Sequence, residues 1–232
     1  MSRKMLFFDI DGTLVAEGTH YLPQSAVNAI RKARENGHLV FINTGRTRFS
    51  IDDFLEEIGF DGYVCGCGTA IYVGEKTIFK NTLTKEYCRE IIKMLRTCNI
   101  TAVFEEENRV FFDEELPDHK ILHDLRARFG TKAFDIPKSL EDGEILFDKF
   151  VVWVNTVSDY KMFYNYISEK FDCIDRGAGM YEIVPKGISK ASGIQMLMDY
   201  YGILLEDLLC VWRQHERSSD ASVCTKQCCD GE

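Results

Sequence analysis

Met5-Leu6-Phe7-Phe8-Asp9-Ile10-Asp11-Gly12-Thr13-Leu14 is the stretch on which the reading of this chain turns. Its four leading apolar residues form the short, continuous run expected of a strand buried on both faces in a parallel sheet. The run ends in two carboxylates one residue apart, then a Gly-Thr turn. Ligands of open α/β sheets bind in the crevice beyond the carboxyl ends of the strands. An ideal pleat would aim Asp9 and Asp11 to the same side. Carboxylates held close together repel unless a cation or a shared proton relieves them. The plain structural alternative is an Asx-turn in which Gly12 supplies a positive φ, but buried strands rarely end in unpaired twin acids.

Asp9-Ile10-Asp11-Gly12-Thr13 resembles the DxDGT signature of the haloacid dehalogenase-like superfamily of phosphatases. The resemblance implies an aspartyl-phosphate mechanism with Asp9 as nucleophile, Asp11 as acid/base, and Mg²⁺ held by Asp9 and Asp11. The residue types suit that chemistry. One carboxylate can attack phosphorus, a second carboxyl group can protonate the leaving oxygen, and Mg²⁺ takes oxygen ligands.

Composition narrows the field. A chain of 232 residues, 45% hydrophobic and 28% charged, is ordinary for a folded globular protein. Its net charge of −9 argues against general binding to nucleic acid or to anionic membranes. Ser2-Arg3-Lys4 followed by four apolar residues is too short for a signal-peptide core, and no apolar run approaches a membrane span. Nine cysteines, an odd count, read as reduced cytoplasmic thiols rather than a disulfide framework.

Downstream, Pro23 to Asn36 carries helical spacing and stops at Gly37. His38 to Ile42 is a second buried strand leading into Asn43-Thr44-Gly45-Arg46, after which Phe49 to Ile58 is expected to be an amphipathic helix. Strand, hydroxyl residue, glycine and helix start together make an anion site, in which Thr44 donates its hydroxyl and Gly45 admits a phosphate close to the backbone. This resembles the second motif of the same superfamily; the plain alternative is an N-cap by Thr44. Gly62 to Cys65 is a third strand, with Cys65 filling core, and Ala70 to Lys80 a hairpin around Gly74-Glu75.

From residue 82 the pattern changes to α+β. Helices are expected after Thr84, from Pro117 to Phe129 and from Ser158 to Lys170. Strands are expected at Thr101–Glu105, Arg109–Asp113, Ile145–Asn155, Phe171–Asp175 and Met180–Val184. Glu105-Glu106-Glu107 reads as a solvated turn. The insert's position resembles the cap of the Cof-type subfamily IIB branch. Ser189 then caps a helix stopped by Gly202, with Lys190 in its first turn, where a cation opposes the helix dipole. Gly187-Ile188-Ser189-Lys190 resembles the third motif, which implies that Lys190 holds both an aspartate and a phosphate; Lys186 is the solvent-exposed alternative.

The resemblance stops near Leu208. The family pattern calls for a strand ending in a GDSxND-like acidic motif that completes the Mg²⁺ site. Leu208 to Trp212 is apolar enough to serve as that strand, although Trp212 is bulky, and the sequence then runs Arg213-Gln214-His215-Glu216 and onward without periodicity. His215, Cys224, Cys228 and Cys229 fit no standard zinc spacing. Leu209 to Glu232 can, however, be encoded so that reading one nucleotide later gives YAFGDSTNDLPMLAYVPNSVAMG, which contains the missing motif in its place. The expectation is a frameshift near Leu208–Leu209 that makes 213–232 an aberrant, irregular tail.

The fold expected is α/β: a doubly wound, Rossmann-like parallel-sheet core over 1–81 and 185–212, interrupted by an α+β cap over 82–184. The activity implied is Mg²⁺-dependent hydrolysis of a small phosphorylated metabolite in the cytoplasm, impaired here by loss of the fourth motif. Asp9 and Asp11 would act on the phosphoryl group, and Thr44, Gly45 and Lys190 would hold it. The alternatives are a phosphosugar mutase-like phosphotransferase and a non-catalytic phosphometabolite binder.

Overall fold

A computed structural model describes residues 2–16, 21–141, 143–212 and 227–228. The chain divides into two compact units, Met1–Lys80 with Gly187–Glu232, and Asn81–Lys186. No helix among the described residues is long and apolar enough to cross a membrane.

The first unit is built on β1 (Met5–Phe8), β2 (Leu39–Asn43), β3 (Gly62–Cys65), β4 (Ala70–Val73), β5 (Lys76–Lys80), β12 (Leu208–Val211) and β13 (Gln227–Cys228). Among the described residues these form one sheet in the order β13-β12-β1-β2-β3-β4-β5, parallel as far as β3 and antiparallel beyond it. Alternation along β2 shows why the run is apolar throughout. Val40 and Ile42 pack with Val27 and Ile30 of α1 (Gln24–Glu35) and Leu55 of α2 (Asp53–Glu56). Leu39 and Phe41 pack with Ile194, Leu197 and Met198 of α6 (Lys190–Tyr201). Both faces are thus covered by helices, as parallel strands require.

Two expectations are corrected in this unit. Phe49 to Ile58 is not one helix: a 3-10 turn at Arg48–Ser50 precedes the four-residue α2. Cys210 on β12 is disulfide-bonded, whereas Cys65, Cys67, Cys88, Cys98 and Cys173 are free thiols. Trp212 is accommodated in the apolar cluster under α6, 7% exposed. Of the tail, Gln227–Cys228 runs parallel to Cys210–Val211; the readings of 213–226 and 229–232, and the side-chain reading of Cys228, lie outside the described residues.

The second unit holds β6 (Thr101–Glu105), β7 (Val110–Phe112), β8 (Ala133–Asp135), β9 (Lys149–Trp153), β10 (Phe171–Gly177) and β11 (Met180–Pro185) in the order β10-β11-β9-β6-β7-β8. Pairing is antiparallel except between β7 and β8. α3 (Lys85–Cys98) begins where Thr84 accepts a hydrogen bond from the Tyr87 amide, and it stops at Asn99, whose φ of 55° is left-handed. Its Ile91, Ile92 and Leu95 join Phe163 and Ile167 of α5 (Tyr160–Ile167) over Phe104, Phe150 and Val152. α4 (Lys120–Phe129) is capped by His119 rather than begun at Pro117. The turn after β6 is not a solvated acidic cluster. Glu105 lies 3.5 Å from Lys149 Nζ, and Glu106 accepts from Arg109 Nε at 2.6 Å.

Candidate active site

The twin acids leave the sheet at the carboxyl end of β1. Regular strand stops at Phe8, and the Asp9 amide donates to the Val211 carbonyl at 3.1 Å. The chain then folds back, with the Thr13 and Val15 amides donating to the Ile10 carbonyl at 3.2 and 3.0 Å. Gly12 supplies the turn's φ of 74°, a value at which an L side chain would be strained. An uninterrupted pleat would have aimed both carboxylates to one side; the turn instead gives them separate surroundings. Asp9 is 3% exposed, while the Asp11 side chain is 63% exposed.

Asp9 Oδ1 accepts from Lys190 Nζ at 2.9 Å, and both side chains are almost fully buried. Lys190 is the first residue of α6. Ser189 caps that helix in a reciprocal box: Ser189 Oγ accepts from the Ser192 amide at 3.1 Å, and Ser192 Oγ accepts from the Ser189 amide at 2.9 Å. Two glycines bring the helix close. A Cβ on Gly68 would lie 2.2 Å from the Ser189 carbonyl oxygen, and one on Gly193 would lie 2.4 Å from Val64 Cγ1. Asn43 Nδ2 adds a hydrogen bond to the Lys190 carbonyl at 3.3 Å. Lys186 is exposed.

Thr44 is 1% exposed and directly follows β2. Its Oγ1 accepts from the Arg46 amide at 3.2 Å, which leaves the hydroxyl proton for another acceptor. The Thr44 and Arg46 carbonyls accept from the Cys67 and Gly66 amides at 3.1 and 2.8 Å. The glycine-rich turn after β3 therefore grips the backbone on either side of Gly45. No helix starts at Thr44, so the helix-terminus anion site expected there is absent among the described residues.

Sequence reasoning passed over Arg46. Its Nε and Nη2 donate to the two carboxylate oxygens of Asp11 at 2.9 and 2.6 Å. Its Nη1 donates to Asp52 Oδ2 at 2.8 Å and to the Ser50 carbonyl at 3.2 Å. Burial opposes the guanidinium's charge, and the hydrogen bonds to Asp11 and Asp52 outweigh it, so its pKa is raised. A cation placed directly after Thr44-Gly45, in a chain with an acidic pair seeking relief, was the available signal.

Two buried polar atoms, Thr13 Oγ1 in the turn after β1 and Asn43 Oδ1 at the end of β2, have no hydrogen-bond partner among the described residues. Native interiors seldom tolerate this without a ligand or water. Among the described residues no group of three or more His, Cys, Asp or Glu side chains is gathered to hold a metal.

A family model described as haloacid dehalogenase-like hydrolase matches residues 6–211. The chain is 26% identical over 203 residues to YkrA of Bacillus subtilis, named as a candidate phosphatase, covering 86% of this chain and 75% of that protein. It is 23% identical over 231 residues to 5-amino-6-(5-phospho-D-ribitylamino)uracil phosphatase YwtE of Bacillus subtilis, covering 90% and 80%. A solved HAD subclass IIB sugar phosphatase, BT4131, superposes with a TM-score of 0.75 at 21% identity over 97% of this chain and 92% of that one. A hypothetical protein from Geobacillus kaustophilus HTA426 gives 0.76 at 22% identity over 97% and 93%. At these identities the structural likeness shows the fold.

Proposed function

Because the chain belongs to the haloacid dehalogenase-like hydrolase family, we propose that it hydrolyses a small phosphomonoester through a phosphorylated Asp9. The observation that carries this reading is the buried Lys190–Asp9 pair at 2.9 Å, at the carboxyl end of β1. Such a pair is costly to bury unless its charges serve something more. Asp9 attacks phosphorus and the P–O ester bond breaks, the departing oxygen taking a proton from Asp11. Water then attacks the phosphorus of the acyl phosphate and gives its proton to Asp11. Inorganic phosphate leaves, and the Asp9 carboxylate is restored. Lys190, the Thr44 hydroxyl and the backbone at Gly45 hold the phosphoryl oxygens through both steps.

The donors at hand are oxygens, which suit Mg²⁺. The Asp9 carboxylate and the Asp11 backbone carbonyl would hold it, and the partnerless Thr13 oxygen in the turn after β1 and Asn43 oxygen at the end of β2 fit a ligand at this end of the sheet. When bound, Mg²⁺ supplies positive charge between nucleophile and phosphoryl group. Only one of those two donors is charged, and no third acid joins the described residues. Turnover by this chain is accordingly weak, and a non-catalytic phosphometabolite binder is the second reading that this observation favours.

The substrate is a sugar phosphate or phosphorylated cofactor met in the cytoplasm. Among the similar proteins, BT4131 is named a sugar phosphatase and YbhA of Escherichia coli a pyridoxal phosphate phosphatase. Every residue of the proposed chemistry belongs to the unit formed by Met1–Lys80 and Gly187–Glu232. Phosphate release from a panel of phosphorylated metabolites with Mg²⁺ tests the proposal. Release that Asp9→Asn abolishes supports it; phosphate binding without release from any ester gives the second reading; isomer formation without release means a phosphotransferase.

A further inference from the structure

We propose that Arg46 is a fixed fork from which an incoming phosphate displaces Asp11, so that phosphate arrival frees the acid/base carboxylate. This rests on the phosphatase reading of the site. In the structure both Asp11 oxygens accept from Arg46, at 2.9 and 2.6 Å. Held that way, the carboxylate faces the guanidinium and not a leaving group. For Asp11 to take up a proton from water and carry it to a substrate oxygen, the pair has to part.

The surroundings say which partner moves. The Arg46 side chain is 14% exposed, and its other edge is fastened to Asp52 and to the Ser50 carbonyl. The Ser50 turn is itself closed, its amide and hydroxyl donating to the Thr47 carbonyl at 3.0 and 2.9 Å. Asp52 stands at the N-cap of α2, a position aspartate favours, yet its side chain makes no capping hydrogen bond. Its carboxylate is given to Arg46 instead. Asp11, by contrast, is 63% exposed. Arg46 is therefore anchored and Asp11 is the loose member.

Magnitudes favour the exchange. An ion pair with one exposed member is screened and weak. A planar guanidinium fork matches phosphate as well as it matches carboxylate, and the phosphate brings more charge. The Arg46 amide already donates to Thr44 Oγ1, which ties the fork to the hydroxyl assigned to the phosphoryl group. Asp52 keeps the fork in place after Asp11 departs.

The test measures inorganic phosphate affinity calorimetrically, with Mg²⁺ present, on the full 232-residue chain. It compares the parent, Asp11→Ala, Arg46→Gln and the double variant. If Asp11 competes for the fork, Asp11→Ala tightens phosphate binding by about fivefold, and Arg46→Gln weakens binding and removes that gain. Arg46→Lys, which keeps the charge without the fork, should also diminish the gain, and it serves if the glutamine variant folds poorly. Equal tightening in both Arg46 backgrounds would mean simple charge repulsion and overturn the exchange, as would no tightening or no phosphate binding by the parent. Phosphate release from esters is scored separately. Exchange without turnover of any ester sinks the phosphatase reading alone, and turnover without exchange sinks the fork alone.

Discussion

Gly68 lies against Ser189 so closely that a Cβ would stand 2.2 Å from the Ser189 carbonyl oxygen, and its φ of +98° is already one that L side chains rarely adopt. This contact sets the start of α6, and with it the root of the Lys190 side chain. Gly68→Ala should cost about 2 kcal/mol or more, because strain and overlap add. It should also weaken phosphate binding, since Lys190 is pushed back. Urea unfolding and phosphate titration of the same variant check both; an alanine tolerated in each would show that the turn can retreat without moving the helix.

The Lys190–Asp9 pair predicts a non-additive pair of substitutions. Lys190→Met leaves the Asp9 carboxylate buried without its cation, a change that typically costs about 3–5 kcal/mol. Asp9→Asn in the same chain removes the stranded charge and should recover a large part of that loss, while phosphate release stays absent. Chemical denaturation of the two single variants and the double decides it. Additive losses would mean that the two groups do not depend on one another.

Asp11→Asn should slow alkyl phosphates far more than aryl phosphates, because only a poor leaving group needs a proton as it departs. Its exposure means that folding should be untouched. Steady-state rates on the two ester classes provide the measurement, and equal losses in both would remove Asp11 from the acid role.

Much of this site was written into short runs of sequence. DxDGT, Thr44-Gly45 and Ser189-Lys190 each sit at the end of a strand or the start of a helix that periodicity marks. The burial of β2 on both faces follows from an apolar run with no polar face. The reading failed where local pattern and tertiary demand part. Phe49 to Ile58 looks like one amphipathic helix, but the chain makes a 3-10 turn at Arg48–Ser50, Arg46 takes the Asp52 carboxylate, and only one α-helical turn forms at Asp53–Glu56. β8, Ala133–Asp135, escaped because a three-residue edge strand has almost no period of its own; parallel pairing with Val110–Phe112 creates it. Glu105 looked solvated because its cation, Lys149, is far away in sequence and opposite it only across the β6–β9 register.

Lys149 also pairs with Glu182 of β11, and this gives the second unit an acid sensitivity. Glu182 is buried, which pushes its pKa up, but Lys149 and Arg176 more than offset this and hold it at about 2. Arg176 Nη2 donates to Glu182 Oε2 at 2.7 Å, and Lys149 Nζ donates to Oε1. A carboxylate with a lowered folded-state pKa contributes stability above its unfolded value, 4.5, and loses it as the pH falls toward about 2. Denaturation midpoints measured across that window should therefore drop, and Glu182→Gln should flatten the drop while costing stability at neutral pH. An unchanged slope in the glutamine variant would assign the acid sensitivity to other groups.

The final prediction concerns the strand beside Asp9. β12 pairs with β1 in the register Phe8↔Val211, and the Asp9 amide bonds to the Val211 carbonyl. β12 thus ends directly beside Asp9. Position for position, the reading shifted by one nucleotide puts the aspartate of Gly-Asp-Ser where this chain has Arg213. The family pattern assigns that aspartate to the Mg²⁺ site, where a carboxylate would add an anionic oxygen donor that an arginine does not supply. The shifted reading also replaces the disulfide-bonded Cys210 with alanine, a small residue suited to a fully buried place on the strand. Restoring the frame should therefore tighten Mg²⁺ binding by about tenfold or more, on the scale of one added charged ligand, and raise phosphate release with it. Magnesium titration of the two proteins, side by side, measures the first effect, and phosphate release at saturating Mg²⁺ measures the second. Sequencing the source gene decides the origin of the tail. An uninterrupted gene together with equal Mg²⁺ affinities would mean that the tail present here supplies its own ligand.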